Sequence, residues 1–351
     1  MMASVELRTP ARPRWQRELA EAVTDPSELL AILGLPLSLA AAAERASESF
    51  SLRVTRSFLA RMRHGDPNDP LLRQVLPLGE ELTETAGYTA DPLEEGAARR
   101  APQLLHKYTG RALLIATEAC AIHCRYCFRR EFPYAAPETR VGARWGEALE
   151  ILAQDASIEE VILSGGDPLS LSDARLTQLT DALAKIPHLK RLRVHTRQPI
   201  VLPSRVDDGL LAWLRGIRLP TVMVLHSNHP HEIDADVRDA CAKLRAAGVT
   251  LLNQSVLLRG VNDDAGTLER LSVALLEAGV LPYYLHLPDR VRGTAHFDVD
   301  ERAAQRLIAE LMGRLSGYLV PRLVREVPGA VSKVPLPQLI TIGESPDGPA
   351  S

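Results

Sequence analysis

The stretch VILSGGDPLSLSDARLTQLTDALAKIPHLKRLRVHT (residues 161–196) holds the pattern from which the rest of the chain is read. It opens on an apolar run at Val161 and breaks at Gly165, Gly166, Asp167 and Pro168. An amphipathic stretch follows over 173–186, and a second apolar run starts at Arg191. Strand, turn, helix and strand within about 30 residues make one βαβ unit, and a helix-sized crossover favours parallel pairing. Outward from it, strand-like runs begin at Arg111 (RALLIAT), Thr221 (TVMVLH), Thr250 (TLLNQSVLL) and Leu281 (LPYYLHL). Helical stretches lie around them at 146–155, 208–215, 234–247, 265–278 and 301–319, and Asp234 and Gly248 supply start and stop signals for one of these. Six or so such units predict a partial or complete parallel (β/α) barrel, with the doubly wound sheet as the alternative. A last strand is expected over 322–327.

Residues 1–105 read differently. Helix-period stretches at 15–23, 27–33, 37–46 and 54–62 are separated by Pro, Gly and Asp, and GDPNDP (65–70) is a turn-rich connector. The expected organisation is a helical N-terminal region (1–105), a barrel core (106–330) and a C-terminal segment (331–351) whose ending, GESPDGPAS, reads as a loose tail.

Composition narrows the function. Of 351 residues, 46% are hydrophobic and 24% charged, which suits a folded globular chain and excludes wholesale disorder. Lys plus Arg is 41 and Asp plus Glu is 44, a net charge of −3, so no general attraction to nucleic acid or to an anionic membrane is expected. No apolar run approaches the roughly 20 residues of a membrane span. The opening MMASVELRTP lacks the apolar core of a secretory signal. Glu6, Glu18 and Glu21 argue against a transit peptide built on Arg8, Arg12, Arg14 and Arg17. A cytoplasmic location is expected, where cysteines read as reduced thiols or metal ligands.

The sharpest chemical feature is CAIHCRYC, which spaces Cys120, Cys124 and Cys127 as C-x3-C-x2-C just after the strand at Arg111. Closely spaced thiolates suit one soft metal centre. A structural zinc site wants four protein ligands. The only other cysteine, Cys241, sits in a helical stretch and carries no functional expectation. Three thiolates on a four-iron cluster leave one iron open for a ligand. Zinc and three unrelated buried thiols remain the competing readings at this point.

With aromatic Tyr126 before the last cysteine, the triad is similar to the signature of radical S-adenosylmethionine (SAM) enzymes. The resemblance narrows further. GDPNDPLLRQVLP (65–77), CRYCFRR (124–130), LHSNHPHEI (225–233), NQSVLLRGVND (253–263) and PYYLHLPD (282–289) resemble the lysine 2,3-aminomutase family over most of the chain. That family implies an α/β fold, a partial (β/α)6-type parallel barrel with a helical N-terminal region and a short C-terminal extension. It implies a 4Fe-4S cluster on Cys120, Cys124 and Cys127, with SAM on the open iron beside Ser164, Gly165, Gly166 and Asp167. It also implies pyridoxal 5′-phosphate (PLP) and a mechanism in which a SAM-derived radical and a PLP imine move the α-amino group to the β carbon.

The same resemblance implies roles for single residues. Of the five lysines (Lys107, Lys185, Lys190, Lys243, Lys333), Lys333 in VPGAVSKVPL matches the PLP lysine, although PGAVSK has one glycine where the family loop has several. Arg111 matches a phosphate contact, Lys107 replaces an arginine of the family just before it, and His226 and Gln254 match SAM or PLP contacts. Arg129 matches the receptor of the substrate carboxylate, with Arg130 as the adjacent alternative. A bidentate guanidinium suits that task. Asp289 and Glu326 match two carboxylates for the distal ammonium of L-lysine, Glu326 being one methylene longer than the Asp of clostridial-type enzymes. Two anions on one cation favour lysine over glutamate or neutral amino acids.

Asp264 stands where clostridial-type enzymes carry a cysteine after RGVND, and the chain ends at Ser351. This short form resembles the bacterial enzyme that makes (R)-β-lysine for elongation factor P. A flavodoxin or ferredoxin-type electron donor and a ligase of the elongation factor P modification pathway are the partners this implies; oligomeric state is left open, with an oligomer among the readings. The alternatives are a free-metabolite 2,3-aminomutase acting on lysine or another amino acid, and a non-catalytic zinc or Fe–S adaptor.

Overall fold

The computed structural model describes residues 12–132 and 145–339. The opening MMASVELRTP and the ending GESPDGPAS lie outside them.

The N-terminal helices start where the sequence can cap them. They are α1 (Arg14–Ala20), α2 (Pro26–Ile32), α3 (Ala40–Ser49) and α4 (Arg56–Leu59). Asp25 accepts from the Glu28 N–H with Pro26 at the first helical position, and Thr55 accepts from the Phe58 N–H. The stretch expected as helix over 54–62 is reduced to the four residues of α4. A second departure lies at the end of this region. Residues 99–108 form strands β1 (Arg99–Ala101) and β2 (Leu104–Tyr108), antiparallel to each other, and β2 pairs antiparallel with β3 (Arg111–Thr117). Tyr108 faces Arg111 across a two-residue loop in which Gly110 takes φ 77°, the conformation a tight hairpin asks of glycine.

From β3 the chain alternates as expected: α5 (Gly146–Gln154), β4 (Glu160–Gly165), α6 (Asp173–Leu183), β5 (Arg191–Thr196), α7 (Gln198–Val201), α8 (Asp208–Gly216) and β6 (Thr221–His226). It continues through α9 (Ala235–Ala246), β7 (Thr250–Val256), α10 (Ala265–Glu277), β8 (Leu281–His286), α11 (Glu301–Arg314), β9 (Arg322–Arg325) and β10 (Val334–Pro335). Every neighbour pair from β3 to β9 is parallel. The ten strands lie in chain order with β1 and β10 at the two ends, and β10 runs antiparallel to β9. This is the α/β partial barrel expected, with hairpins added at both edges. The doubly wound alternative requires a reversal of strand order, and the order here runs straight through.

Aspartates set the helix starts. Asp207, Asp234, Asp264 and Asp300 each accept from the main-chain N–H three residues on, at the heads of α8, α9, α10 and α11. Asp264 is thus a helix cap. The largest core cluster joins Leu29, Leu30 and Phe58 of the N-terminal helices to Leu114, Leu163 and Val194 of the strands, so those helices cover the barrel. Among the described residues no helix is long and apolar enough to cross a membrane.

Candidate active site

The C-terminal ends of parallel strands are where barrel sites are built, and here they surround a cavity of about 500 Å³. Every residue singled out from the sequence lines it: Cys120, Cys124, Cys127, Lys107, Arg111, Arg129, Ser164, Gly165, Gly166, Asp167, His226, Gln254, Asp289, Glu326 and Lys333. Cys241 is buried in α9, away from it.

One wall is the cysteine loop, which leaves the end of β3. Its shape is imposed from two sides. Beneath it lie Gly165 (φ 106°) and Gly166, where an added Cβ would sit 2.7 Å from the Thr117 carbonyl oxygen and 2.6 Å from that of Ala119, respectively. The glycines therefore admit the protein's own backbone, not only a ligand. Above it the N-terminal region clamps Arg125. Its Nε and Nη2 donate to Glu81 Oε1 and Oε2 at 2.8 and 2.6 Å, and its Nη1 donates to the Phe50 carbonyl at 2.6 Å. Arg130 Nη2 donates to the same Glu81 Oε2 at 2.6 Å. Arg130 thus serves the scaffold, whereas Arg129 lines the cavity.

Burial pushes the Cys120 thiol up, and burial followed by the neighbouring Cys124 pushes Cys127 up to about 11. Thiols so placed stay protonated until a cationic centre draws the protons off. Among the described residues no three His, Cys, Asp or Glu side chains close on a single ion. The sulfurs instead line a wall of the cavity, where a multi-iron cluster has room. Arg197 adds a hydrogen bond from Nη1 to Cys124 Sγ at 2.7 Å. The donor set fits a cluster of the kind the triad implies.

Other lining residues carry charge. Lys333 Nζ and the Tyr108 hydroxyl donate to the two carboxylate oxygens of Glu326, and Lys107 Nζ stands 3.9 Å from it. Burial raises the Glu326 carboxyl, but Lys333, Tyr108 and Lys107 together hold it below its ordinary value. Asp289 faces the same lysines but receives no such hydrogen bonds from Lys333 or Tyr108. Burial, then Glu326, push it up to about 7 against Lys333 and Lys107. Arg129 is gripped by Glu95, with Nε and Nη2 donating at 2.9 and 2.7 Å, and its Nη1 donates to Ser164 Oγ at 3.3 Å. Gln254 donates to His226 Nε2 at 2.9 Å, and Arg111 lies 4.6 Å from the centre of the Tyr108 ring.

Two half-buried imidazoles also line the cavity: His195 in β5 and His286 at the end of β8. The Nε2 atom of each is buried with no hydrogen-bond partner among the described residues. Burial holds both rings neutral, well below their ordinary value. Unpartnered polar atoms of cavity-lining residues, with Lys107, Arg111 and Lys333 in the same lining, fit a phosphorylated, aldehyde-bearing cofactor. Sequence reading missed Tyr108, Glu95, Arg197, His195 and His286. The signal available for the two histidines was their strand-end position, shared with His226; Glu95 and Tyr108 lie before the repeating pattern begins.

Comparison with known proteins bears on this geometry. The Radical SAM superfamily signature matches residues 114–271, which span the cysteine loop and β4 to β7, and that superfamily implies a 4Fe-4S cluster and SAM. The chain is 50% identical over 334 residues to the L-lysine 2,3-aminomutase of Escherichia coli, covering 95% of this chain and 97% of that one. It is 47% identical to the Haemophilus influenzae protein of the same name, covering 91% and 94%. It is 36% identical to that of Clostridium subterminale, covering 86% of this chain and 72% of that one. The chain belongs to the L-lysine 2,3-aminomutase family within the radical SAM superfamily.

Proposed function

We propose that the chain converts L-lysine to (R)-β-lysine, with a cluster on Cys120, Cys124 and Cys127, SAM, and PLP on Lys333. The observation that carries the reading is one cavity lined both by the three thiols and by Lys333, Asp289 and Glu326. When bound, these groups supply the one-electron hydrogen abstraction and the carbonyl chemistry that an amino shift needs.

The protein's own side chains supply position. Arg129, fixed by Glu95 and Ser164, orients the substrate carboxylate at the cluster end. Asp289 and Glu326 receive the distal ammonium at the far end. Glu326 holds Lys333 Nζ in this structure, so engaging that nitrogen with the cofactor frees the carboxylate for a second cation. Lys107 and Arg111 hold phosphate. Apolar walls from Leu105, Ile162 and Leu287 exclude water, and alignment of a single C–H bond then governs the rate.

Electrons come from a flavodoxin or ferredoxin-type donor, and the product goes to a ligase that modifies elongation factor P. Support for this last step is the resemblance to the short-form bacterial enzyme, with Asp264 where clostridial-type enzymes carry a cysteine. Substitution of Lys333 by Ala tests the PLP assignment. Loss of bound PLP absorbance and of turnover, with iron retained, is expected; unchanged β-lysine formation would overturn it.

A further inference from the structure

Three sequence segments that the proposed chemistry leaves unused converge on one hydrogen-bond network, which ends on Cys124 through Arg197. Gln74 comes from GDPNDPLLRQVLP, Glu232 and Asn228 from LHSNHPHEI, and Arg197 from the turn after β5. Arg197 Nη1 donates to Cys124 Sγ at 2.7 Å, while Nη2 donates to Gln74 Oε1 at 2.6 Å and to Glu232 Oε2 at 3.2 Å. Glu232 Oε1 is held in turn by Gln74 Nε2 at 3.0 Å and by the Asn228 N–H at 3.0 Å. Asn228 Nδ2 also donates to Gln74 Oε1 at 3.0 Å. The main chain is pinned as well, the Arg197 N–H donating to Asp167 Oδ2 at 2.7 Å. Side-chain exposure is 6% for Arg197 and 0% for Glu232, so solvent screens neither charge.

We propose that this network sets how readily the cluster takes up an electron, Arg197 acting through Cys124 and Glu232 acting through Arg197. Both are positioning residues. The step is uptake of one electron from an external one-electron donor, with no bond made or broken in the protein. Reduction adds negative charge to the cluster and its thiolates. A fixed cation with an N–H on one sulfur stabilises the reduced form, since hydrogen bonds to the sulfurs are among the levers that set such potentials. Glu232 damps that field and locks the guanidinium in place. The two charges therefore act in opposite directions, which a merely structural network would not do.

The inference rests on the radical SAM cluster, and the test separates the two. Anaerobically loaded holoprotein is titrated with a redox mediator series, the reduced cluster is read by electron paramagnetic resonance, and iron and sulfide per chain serve as the loading control. In R197Q the reduced-to-oxidised ratio at a fixed solution potential is expected to fall tenfold or more. That corresponds to a drop of about 59 mV for a one-electron couple. In E232Q the midpoint is expected to move the other way. Arg197→Lys keeps the charge and loses the fork, so its midpoint should lie between wild type and R197Q. Midpoints unchanged in R197Q and E232Q, or displaced in the same direction, would overturn the inference. If R197Q loads no iron, E232Q decides alone, and an absent upward shift overturns it. A wild-type protein with no reducible cluster signal strikes the cluster reading itself and this inference with it.

Discussion

Glu81 is the anion on which the cysteine loop hangs, and its replacement by Gln has a magnitude that follows from the geometry. Its side chain is fully buried and receives Arg125 at 2.8 and 2.6 Å and Arg130 at 2.6 Å. Glu81→Gln leaves two buried guanidinium groups facing a neutral amide. Removing one partner of a buried pair costs about 3–5 kcal/mol. The remaining contacts, neutral carbonyls of Phe50, Ser51, Arg125 and Gly293 and the Phe50 ring 4.8 Å from Arg125 and 5.0 Å from Arg130, do not replace the charge. Arg125 sits between Cys124 and Tyr126, so the loss falls on the loop. At about 1.4 kcal/mol per tenfold, it raises the open population of that loop roughly a hundred- to a few-thousand-fold. Thiol-alkylation rates of Cys120, Cys124 and Cys127 in the cluster-free protein, read by peptide mass spectrometry, measure this directly. Cys241, wholly buried in α9, is the internal control. Faster labelling of the loop with Cys241 unchanged is expected. Equal labelling of wild type and variant would refute the clamp, and Cys241 rising in step would show global unfolding instead.

Two further outcomes follow from the same site. Asp289, pushed up to about 7 by burial and Glu326, is neutral below that pH and then offers no charge to the substrate ammonium. kcat/KM for L-lysine should therefore fall about tenfold per unit below pH 7 and level off above it. In Asp289→Asn that limb disappears and KM is high throughout; a wild-type profile flat from pH 6 to 8 would remove Asp289 from substrate binding. Gly166→Ala puts a Cβ about 2.6 Å from the carbonyl oxygens of Glu118 and Ala119, so the cysteine loop must lift. Iron loading should drop severalfold while the far-ultraviolet circular dichroism stays that of wild type, and full loading would show that the loop has room to shift.

The alternation at residues 161–196 was legible because a Gly-Gly-Asp-Pro break separates a short apolar strand from an amphipathic helix, and beyond it α8 to α11 each start on their own aspartate cap. The triad was legible because its spacing is local. The barrel's edges were not. β1 and β2 are short, and Arg99 and Arg100 do not read as strand, so the hairpin that brings Tyr108 to Glu326 became visible only in three dimensions. Glu95 and Arg197 were illegible for a related reason. Each is one charged residue among many in the sequence, and each gains its meaning from a partner far along the chain: Arg129 for Glu95, Cys124 and Gln74 for Arg197. Long-range electrostatic pairing leaves no periodic trace. The close approach at Gly165 and Gly166 was anticipated, but the approaching group is the backbone of Thr117 to Ala119.

The central claim is a single cavity in which a cluster and a lysine-bound cofactor act on one lysine molecule. Anaerobic reconstitution with iron, sulfide, SAM, PLP and a reductant, followed by chiral chromatography of the products from L-lysine, tests it most directly. The expected product is β-lysine, in the R configuration, from a protein carrying both cluster and PLP. No β-lysine from a protein with both groups bound would contradict it, and the assignment of Asp289 and Glu326 to the substrate ammonium would be the first part to fall.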